Sequence, residues 1–114
     1  MNLTQESLGG DLTRIVLDGR LDLDGTQKIS DQFSYRTTTA AGRFAVDLSQ
    51  VTFIASIGIR MLLTAARAQA LRGGRMVLIS PAGMSRKVLE TAGVDALIPI
   101  VADLDAAQSA LAAS

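Results

Sequence analysis

The stretch RFAVDLSQVTFIASIGIRMLLTAARAQALRGGRMVLI, residues 43–79, decides the fold that this chain predicts. Residues 43–48 have the length and composition of a mostly buried strand, and residues 51–54 add a second apolar run after a polar interruption. From Ser56 onwards the apolar residues recur at helical spacing and share one face: Ile59, Leu62, Leu63, Ala66 and Ala70. Gly73 and Gly74 end this helix, and residues 76–79 form an apolar strand. This order predicts a parallel strand pair with a right-handed crossover.

Ser56 stands where the strand gives way to the helix, and two roles suit a serine there. As the N-cap, its hydroxyl oxygen would accept an N–H of the first helical turn. As a regulatory hydroxyl, it would be exposed, and a phosphate on it would meet free N–H groups and the positive end of the helix dipole. The residues alone leave both roles open.

The segment VDLSQVTFIASIGIRMLL, residues 46–63, resembles the central motif of the STAS domain. That domain occurs in anti-sigma factor antagonists and in the cytoplasmic tails of sulfate transporters. Ser56 matches the serine that kinases of the family phosphorylate, while Ala55 replaces the family's acidic residue and Ile57 replaces a hydroxyl residue. The other matched positions are at the strand end and after the serine: Asp47, Leu48, Ser49, Gly58 and Ile59.

Composition narrows the functional classes. The 114 residues suit one compact domain, and the resemblance implies a single STAS domain over residues 1–114. The 11 basic and 11 acidic residues cancel, which argues against nucleic-acid binding. Cysteine and histidine are absent, so disulfides, thiol catalysis, histidine bases and the usual zinc sites are excluded. Without an apolar run long enough for a membrane span or a secretion signal, we expect a cytoplasmic protein with no membrane insertion.

The N-terminal third predicts a hairpin followed by a helix. Residues 1–8 are expected to form an edge strand, residues 9–11 a glycine turn and residues 12–17 its antiparallel partner, closed by Asp18 and Gly19. The segment GRLDLDGTQKI, residues 19–29, resembles the Gly-Glu-Leu-Asp start of the family's next helix, with Arg20 in place of the glutamate.

Asp24 or Thr26 is expected to cap that helix, with Ile29 and Phe33 on its inner face, and residues 35–42 to form a loop. For Asp22 and Asp24, turn and cap chemistry suits the spacing better than metal binding, because two carboxylates lack the ligand count of a calcium loop.

The C-terminal third predicts a helix, a strand and a last helix. The segment SPAGMSRKVLETAGVD, residues 80–95, resembles the family's Ser-Pro, helix and glycine segment, and Gly93 ends its helix. Residues 97–101 are expected to form a strand, which Pro99 places at an edge or a bulge. Asp103 is expected to cap a helix over residues 104–112. The inner face of the first of these helices is expected to hold Met84, Val88, Leu89 and Ala92.

The elements together predict an α/β fold in the order β-β-α-β-α-β-α-β-α, with one mixed sheet of four or five strands covered by about four helices. The central unit should supply most of the buried area through Phe44, Val46, Leu48, Ile54, Leu62, Leu63, Val77 and Ile79.

The resemblance implies a protein-binding module that captures an anti-sigma factor serine kinase, with a serine phosphatase as a further partner, and that is switched by phosphorylation of Ser56. It implies no catalytic residue, metal or cofactor, and a monomer or weak homodimer. A constitutive scaffold or transport-complex subunit with the same fold is the alternative, since Ala55 and Ile57 depart from the motif. An enzyme is disfavoured because Ser56 has no histidine to activate it. The expected partner-binding positions are Asp22, Asp24, Ala55, Ser56, Ile57, Gly58, Ile59 and Arg60.

Overall fold

Five strands form one mixed sheet whose spatial order follows the chain, β1-β2-β3-β4-β5. The computed structural model describes residues 1–80 and 83–112, with Met84 described by its backbone alone. β1 and β2 are antiparallel, whereas β2, β3, β4 and β5 run parallel. This arrangement confirms the predicted hairpin and the predicted parallel central unit. The strands are β1 Asn2–Ser7, β2 Leu12–Leu21, β3 Arg43–Ile54, β4 Arg75–Ile79 and β5 Ile100–Val101.

Four α-helices connect or follow these strands, and the predicted element order is confirmed. They are α1 Leu23–Thr38, α2 Ser56–Arg72, α3 Met84–Thr91 and α4 Leu104–Ala112, with a short 3-10 turn at Val94–Ala96. α4 begins as predicted, because the Ala106 N–H donates to Asp103 Oδ1 at 2.8 Å.

The two faces of the sheet bury different clusters because neighbouring strand residues point to opposite sides. Val46 and Leu78 lie in the larger cluster, to which α1, α2 and α3 contribute, whereas Ala45 and Val77 pack with α4. The predicted central core residues are buried except Leu63, which is half-buried. α1 inserts Ile29 and Phe33 into the larger cluster, as the sequence predicts.

β2 and β3 are longer than the sequence predicts. β2 continues through Asp18 and Gly19 to Leu21, and β3 runs unbroken across Ser49 and Gln50. The two strands pair with each other along this whole length, with irregular register around residues 16–20. Backbone pairing between them therefore outweighs the local turn and breaker preferences, and it carries both strands to the same end of the sheet.

The end of α1 also differs from the prediction, because residues 35–38 are helical and not a loop. The hydroxyls of Thr37, Thr38 and Thr39 each donate to the carbonyl four residues earlier, at 2.8, 2.6 and 2.7 Å. Gln69 of α2 is fully buried beneath this turn, where its Oε1 accepts the Gly42 N–H at 2.9 Å. Its Nε2 donates to the carbonyls of Thr37 and Ala40. A buried amide thus satisfies backbone groups that a loop would otherwise leave unpaired.

The inner face of α2 is rotated slightly from the predicted one. Leu62 is buried as expected, but Ala65 and Gln69 are buried in place of Ala66, which is half-buried, and Ala70, which is exposed. The helix ends as predicted, with Gly73 in the left-handed region at φ 83°. α2 therefore turns a different stripe towards solvent from the one that the apolar spacing suggests.

The segment after β4 confirms part of the prediction. Leu89 is buried, Val88 is half-buried and Ala92 is exposed, so the inner face of α3 is narrower than expected. The predicted helix start at residues 81 and 82 lies outside the described residues, as does the side chain of Met84. The last strand is only two residues long and forms the sheet edge, and the Pro99 carbonyl accepts the Leu78 N–H at 2.9 Å. Leu97, expected in that strand, is 71% exposed.

Candidate functional site

Two strand-to-helix junctions lie side by side at one end of the sheet, because β2 and β3 are parallel neighbours. Leu21, at the end of β2, is paired with Ile54 at the end of β3. The Ala55 N–H then donates to the Leu21 carbonyl at 2.9 Å, which ties the two junctions together. The predicted positions around Asp22 and those from Ala55 to Arg60 are therefore neighbours in space, although about thirty residues separate them in sequence.

The start of α1 is capped by Asp22 and not, as predicted, by Asp24 or Thr26. Asp22 Oδ1 accepts the Gly25 N–H at 2.8 Å, and Oδ2 lies 3.3 Å from Arg20 Nε. The hydrogen bond from the Gly25 N–H, aided by Arg20, holds the pKa of Asp22 below its usual value. Asp24 is exposed in the first turn, where its charge favours the helix dipole.

Two glycines let the junctions approach each other closely. A Cβ on Gly25 would overlap the Arg20 carbonyl oxygen, and a Cβ on Gly58 would lie 3.0 Å from Leu21 Cβ. Gly58, the family's glycine after the serine, is buried for this reason. Its function here is to let α2 pack against the end of β2, so the position contributes spacing and no exposed surface.

The start of α2 has no side-chain cap. Ala55 occupies the N-cap in extended conformation, at φ −96° and ψ 170°, and its carbonyl accepts the N–H groups of Gly58 and Ile59 at 3.0 and 3.1 Å. Ser56 is the first helical residue and is exposed, so of the two roles that the sequence left open for it, the N-cap role is wrong. The hydrogen bond from the Ala55 N–H to the Leu21 carbonyl fixes the backbone at Ala55, so the helix begins one residue earlier than it would with Ser56 as the N-cap. The hydroxyl of Ser56 is left without a capping role.

Ile57 turns partly inward from this helix start. It is half-buried and lines a groove of about 240 Å³ between α1 and α2, together with Thr26 and Met61. Among the described residues, Thr26 Oγ1 is buried with no hydrogen-bond partner. The apolar residue at position 57 is therefore part of the α1–α2 contact as well as of the junction surface.

The remaining predicted positions divide by exposure. Ile59 is half-buried and packs against the larger core cluster, whereas Arg60 is exposed. The surface that a partner can touch at the start of α2 is thus formed mainly by Ser56 and Arg60, with the exposed parts of Ala55 and Ile57 around them.

Arg20 and Phe53 form a contact that the sequence analysis missed. The Arg20 guanidinium lies 4.5 Å from the centre of the Phe53 ring, a cation–π geometry, and the two residues are cross-strand partners. Both are more than two-fifths exposed, next to the two junctions. In the sequence, Arg20 itself could have indicated this contact, because it puts a positive charge where the family has a glutamate.

Asp47, the aspartate of the motif's Asp-Leu-Ser strand end, has a structural role away from this site. Its Oδ2 accepts Arg14 Nη2 at 2.7 Å and its Oδ1 accepts the Ser49 N–H at 2.9 Å. Burial alone would raise the pKa of Asp47, but the hydrogen bonds from Ser49 and Arg14 lower it overall. The motif's Asp-Leu-Ser segment therefore orders β3, and the candidate site begins after it.

Comparison of the sequence with known protein families identifies the family of this chain. Residues 4–101 match the family model described as "Mlab, STAS domain". The chain belongs to the STAS domain family. No curated protein matches it in sequence. The family resemblance of the central motif is thereby confirmed, and it extends over most of the chain.

Solved structures show the same fold at low sequence identity. An anti-sigma factor antagonist from Mycobacterium paratuberculosis superposes with a TM-score of 0.87 at 18% identity, covering 97% of this chain and 93% of its own. Unphosphorylated SpoIIAA, an anti-sigma factor antagonist, gives 0.76 at 20% identity over 99% of both chains. The Bacillus cell fate determinant SpoIIAA in its phosphorylated form gives 0.71 at 21% identity, covering 96% of this chain and 99% of its own. These similarities establish a STAS fold like that of the antagonists.

Within residues 1–80 and 83–112, no helix is long and apolar enough to cross a membrane. Over the same ranges, no group of three or more acidic, histidine or cysteine side chains is placed to hold a metal ion.

Proposed function

We propose that this STAS domain is a switchable protein-binding module that resembles an anti-sigma factor antagonist. In its unmodified form it binds an anti-sigma factor serine kinase, and phosphorylation of Ser56 releases that partner. A serine phosphatase would restore the binding form. The observation that carries the proposal is an exposed serine at the first position of a long helix that lacks a side-chain cap.

The start of α2 is suited to hold a phosphate without unfolding. At the start of α2 the Gly58 N–H bonds the Ala55 carbonyl, whereas no side chain caps the N–H groups of Ser56 and Ile57. A phosphate on Ser56 would meet these groups and the positive end of the dipole, a contribution of about 0.3–1 kcal/mol at an exposed site. No acidic residue stands in the first turn to repel it. The folded domain should therefore tolerate the modification.

The partner would not tolerate the same charge. An interface that covers Ser56, Ile57 and Arg60 must desolvate a group with a charge of about −2, and an unpaired buried charge carries one of the largest penalties in recognition. We expect the affinity to fall by at least about 1.4 kcal/mol, a factor of ten.

The test is a calorimetric titration of the natural anti-sigma factor kinase with phosphorylated and unmodified protein, accompanied by thermal melts of both. We expect weaker binding by the phosphoprotein and an unchanged melting temperature. Ser56→Asp should shift binding in the same direction but less, because it carries less charge. Ser56→Ala should bind like the unmodified protein and lose the switch. Since Ser56 caps nothing, Ser56→Ala should change stability by less than about 0.5 kcal/mol.

A constitutive scaffold or transport-complex subunit is the second candidate. It is favoured by Ala55 and Ile57, which remove the acidic and hydroxyl residues of the family motif and leave Ile57 half-buried in the α1–α2 groove. Equal affinities for phosphorylated and unmodified protein would exclude the switch and support the scaffold. A collapse of the melting temperature on phosphorylation would contradict the proposed accommodation by the helix start.

A further inference from the structure

The exposed side of α2 has an unusual charge distribution. The helix contains Arg60, Arg67 and Arg72 and no acidic residue, in a chain whose 11 basic and 11 acidic residues balance overall. α2 therefore carries a net positive charge that acidic residues elsewhere in the chain balance.

Two of these arginines lie on one stripe along the helix axis. Arg60 and Arg67 are seven residues apart, which is two turns or about 10 Å along the same face. Leu63 and Thr64 lie between them, and these four residues line a shallow concavity of about 310 Å³. The residues one turn before and one turn after extend this surface, which we call the α2 stripe. It comprises Ser56, Arg60, Leu63, Thr64, Arg67 and Leu71.

The stripe is open to solvent. Within residues 1–80 and 83–112, no carboxylate forms an ion pair with Arg60 or Arg67, whereas Arg14, Arg20, Arg43 and Arg86 do pair with carboxylates. Arg60 and Arg67 are exposed, and Leu71 at 83% is the most exposed of the large apolar residues. The buried side of the helix is formed by Leu62, Ala65 and Gln69. The stripe therefore faces solvent except at Leu63, which is half-buried against the larger core cluster.

We infer that the α2 stripe binds an acidic, amphipathic segment of a partner protein, with carboxylates on Arg60 and Arg67 and apolar side chains on Leu63 and Leu71. Charge complementarity favours an acidic ligand. The leucines beside the arginines favour a protein segment that offers apolar side chains at the same spacing, over a nucleic acid. The balanced net charge gives no support to attraction by an anionic membrane.

This inference rests on the proposed function in one respect, because it gives the partner's contact surface at the same helix. Ser56 and Arg60 are four residues apart and face each other on the helix. A phosphate on Ser56 would compete with the partner's carboxylates for Arg60 and would repel those that remain. An acidic partner therefore supplies a direct reason for release on phosphorylation.

The test uses two synthetic helical peptides. One carries glutamate and leucine at alternating positions of an i, i+3, i+4, i+7 pattern, and the other has glutamine for each glutamate. Each is titrated into ¹⁵N-labelled protein with unmodified Ser56, and the backbone amide shifts are followed by NMR. We expect the acidic peptide to bind and to shift amides from Arg60 to Leu71, and the glutamine peptide to bind at least about tenfold more weakly.

Charge variants provide the matched comparison. The double variant Arg60→Glu with Arg67→Glu should lose at least about tenfold in affinity for the acidic peptide. Lys28→Glu with Arg36→Glu makes the same change in net charge on exposed positions of α1 and should alter the affinity by less than about twofold. If the reversal variant fails to fold, Arg60→Ala with Arg67→Ala, which keeps good helix formers, gives the same comparison.

Three results would overturn the inference: equal losses in the α2 and α1 variants, equal binding of the glutamine peptide, or tighter binding of single-stranded DNA or phosphatidylglycerol vesicles through Arg60 and Arg67. None of these depends on phosphorylation. Failure of the Ser56 switch with the kinase would leave peptide binding intact, so the two proposals fail separately.

Discussion

The starts of α1 and α2 lie next to each other, follow adjacent parallel strands, and are completed in different ways. Asp22 caps α1, and Asp24 adds a negative charge to its first turn. At α2 the N-cap is Ala55, and the first turn holds no acidic residue. The α1 junction therefore pairs a first-turn N–H and places negative charge at the positive end of its own helix dipole. The α2 junction leaves N–H groups of its first turn and the positive end of its dipole available to an external anion or partner.

The difference is consistent with the proposed function, in which the α1 junction serves stability and the α2 junction serves recognition. α4, like α1, is capped by an aspartate, Asp103, whereas α2 and α3 both begin without a side-chain cap. An uncapped helix start costs stability, and α2 must be held by other contacts. Its inner face provides them, since Leu62 and Gln69 are fully buried.

The largest expected effect tests that compensation. Leu62→Ala should lower the free energy of unfolding by about 2–5 kcal/mol, because Leu62 is fully buried and the truncation leaves a cavity. Leu63→Ala, at the half-buried neighbour, is the matched control and should cost clearly less. Denaturant unfolding measures both. Equal costs would show that the orientation of α2 differs from the one described.

The next effect compares the two glycines. Gly25→Ala should destabilise the protein by about 1–3 kcal/mol, because the new methyl group meets the Arg20 backbone carbonyl, which has little freedom to move. Gly58→Ala should cost less, because its new methyl group would lie 3.0 Å from Leu21 Cβ and 3.2 Å from the Leu21 carbonyl oxygen, a smaller overlap than at Gly25. Thermal unfolding of both variants checks the order. A stable Gly25→Ala protein would contradict the close approach at α1.

Acid should weaken the α1 junction and leave the α2 start unaffected. The pKa of Asp22 is lowered in the folded state, so its stabilising contribution is present above the ordinary pKa of about 4 and is lost as pH falls through the lowered value. Hydrogen exchange at the Gly25 amide should therefore rise below about pH 4 relative to the intrinsic rate.

The Gly25 amide is a better probe than global unfolding. The pKa of Asp47 in β3 is also lowered, so acid reduces the global stability through Asp47 as well. Asp22→Asn is the control, since it keeps an acceptor oxygen for the Gly25 N–H and removes the ionisation. A pH dependence that persists in this variant would assign the effect to another carboxylate.

The difference between the α1 and α2 junctions could be predicted from the sequence only in part. Apolar spacing and glycine position were enough for the order of elements, the core at Val46 and Leu62, and the end of α2 at Gly73. The sequence placed the cap of α1 at Asp24 or Thr26, two or four residues after Asp22. It also offered Ser56 as the N-cap of α2, one residue after Ala55. Both depend on where β2 ends, and β2 runs to Leu21 because β3 supplies its backbone partners. Such long-range pairing has no local sequence signal.

The candidate site shows the same limit. The family motif indicated Ser56 and its neighbours, and the structure brings Asp22 beside them through the bond from Ala55 to Leu21. Gln69 and Arg20 were missed because their partners lie in distant segments: Gln69 bonds Gly42, and Arg20 stacks on Phe53. A polar residue in a helix carries no mark of such a partner in its own sequence neighbourhood.

The smallest expected effect comes from giving α2 the cap that α1 has. Ala55 is already at the N-cap in an extended conformation, so an aspartate there can accept an N–H of the first turn without a change of backbone. Ala55 is also half-buried, and part of the gain is offset by desolvation of the new carboxylate. We therefore expect Ala55→Asp to change stability by no more than about 1 kcal/mol, in the stabilising direction. Ala55→Asn, which caps without a charge, is the matched control.

When Ser56 is phosphorylated, the Ala55→Asp and Ala55→Asn variants should diverge in stability, because only the aspartate repels the phosphate and competes with it for the same N–H groups. Thermal melts of both variants, with and without phosphate, measure this difference. If Ala55→Asp unfolds the domain, position 55 is too enclosed for a side-chain cap, and the α2 start is bare for steric reasons. If phosphorylation affects both variants equally, the phosphate is not held at the helix start.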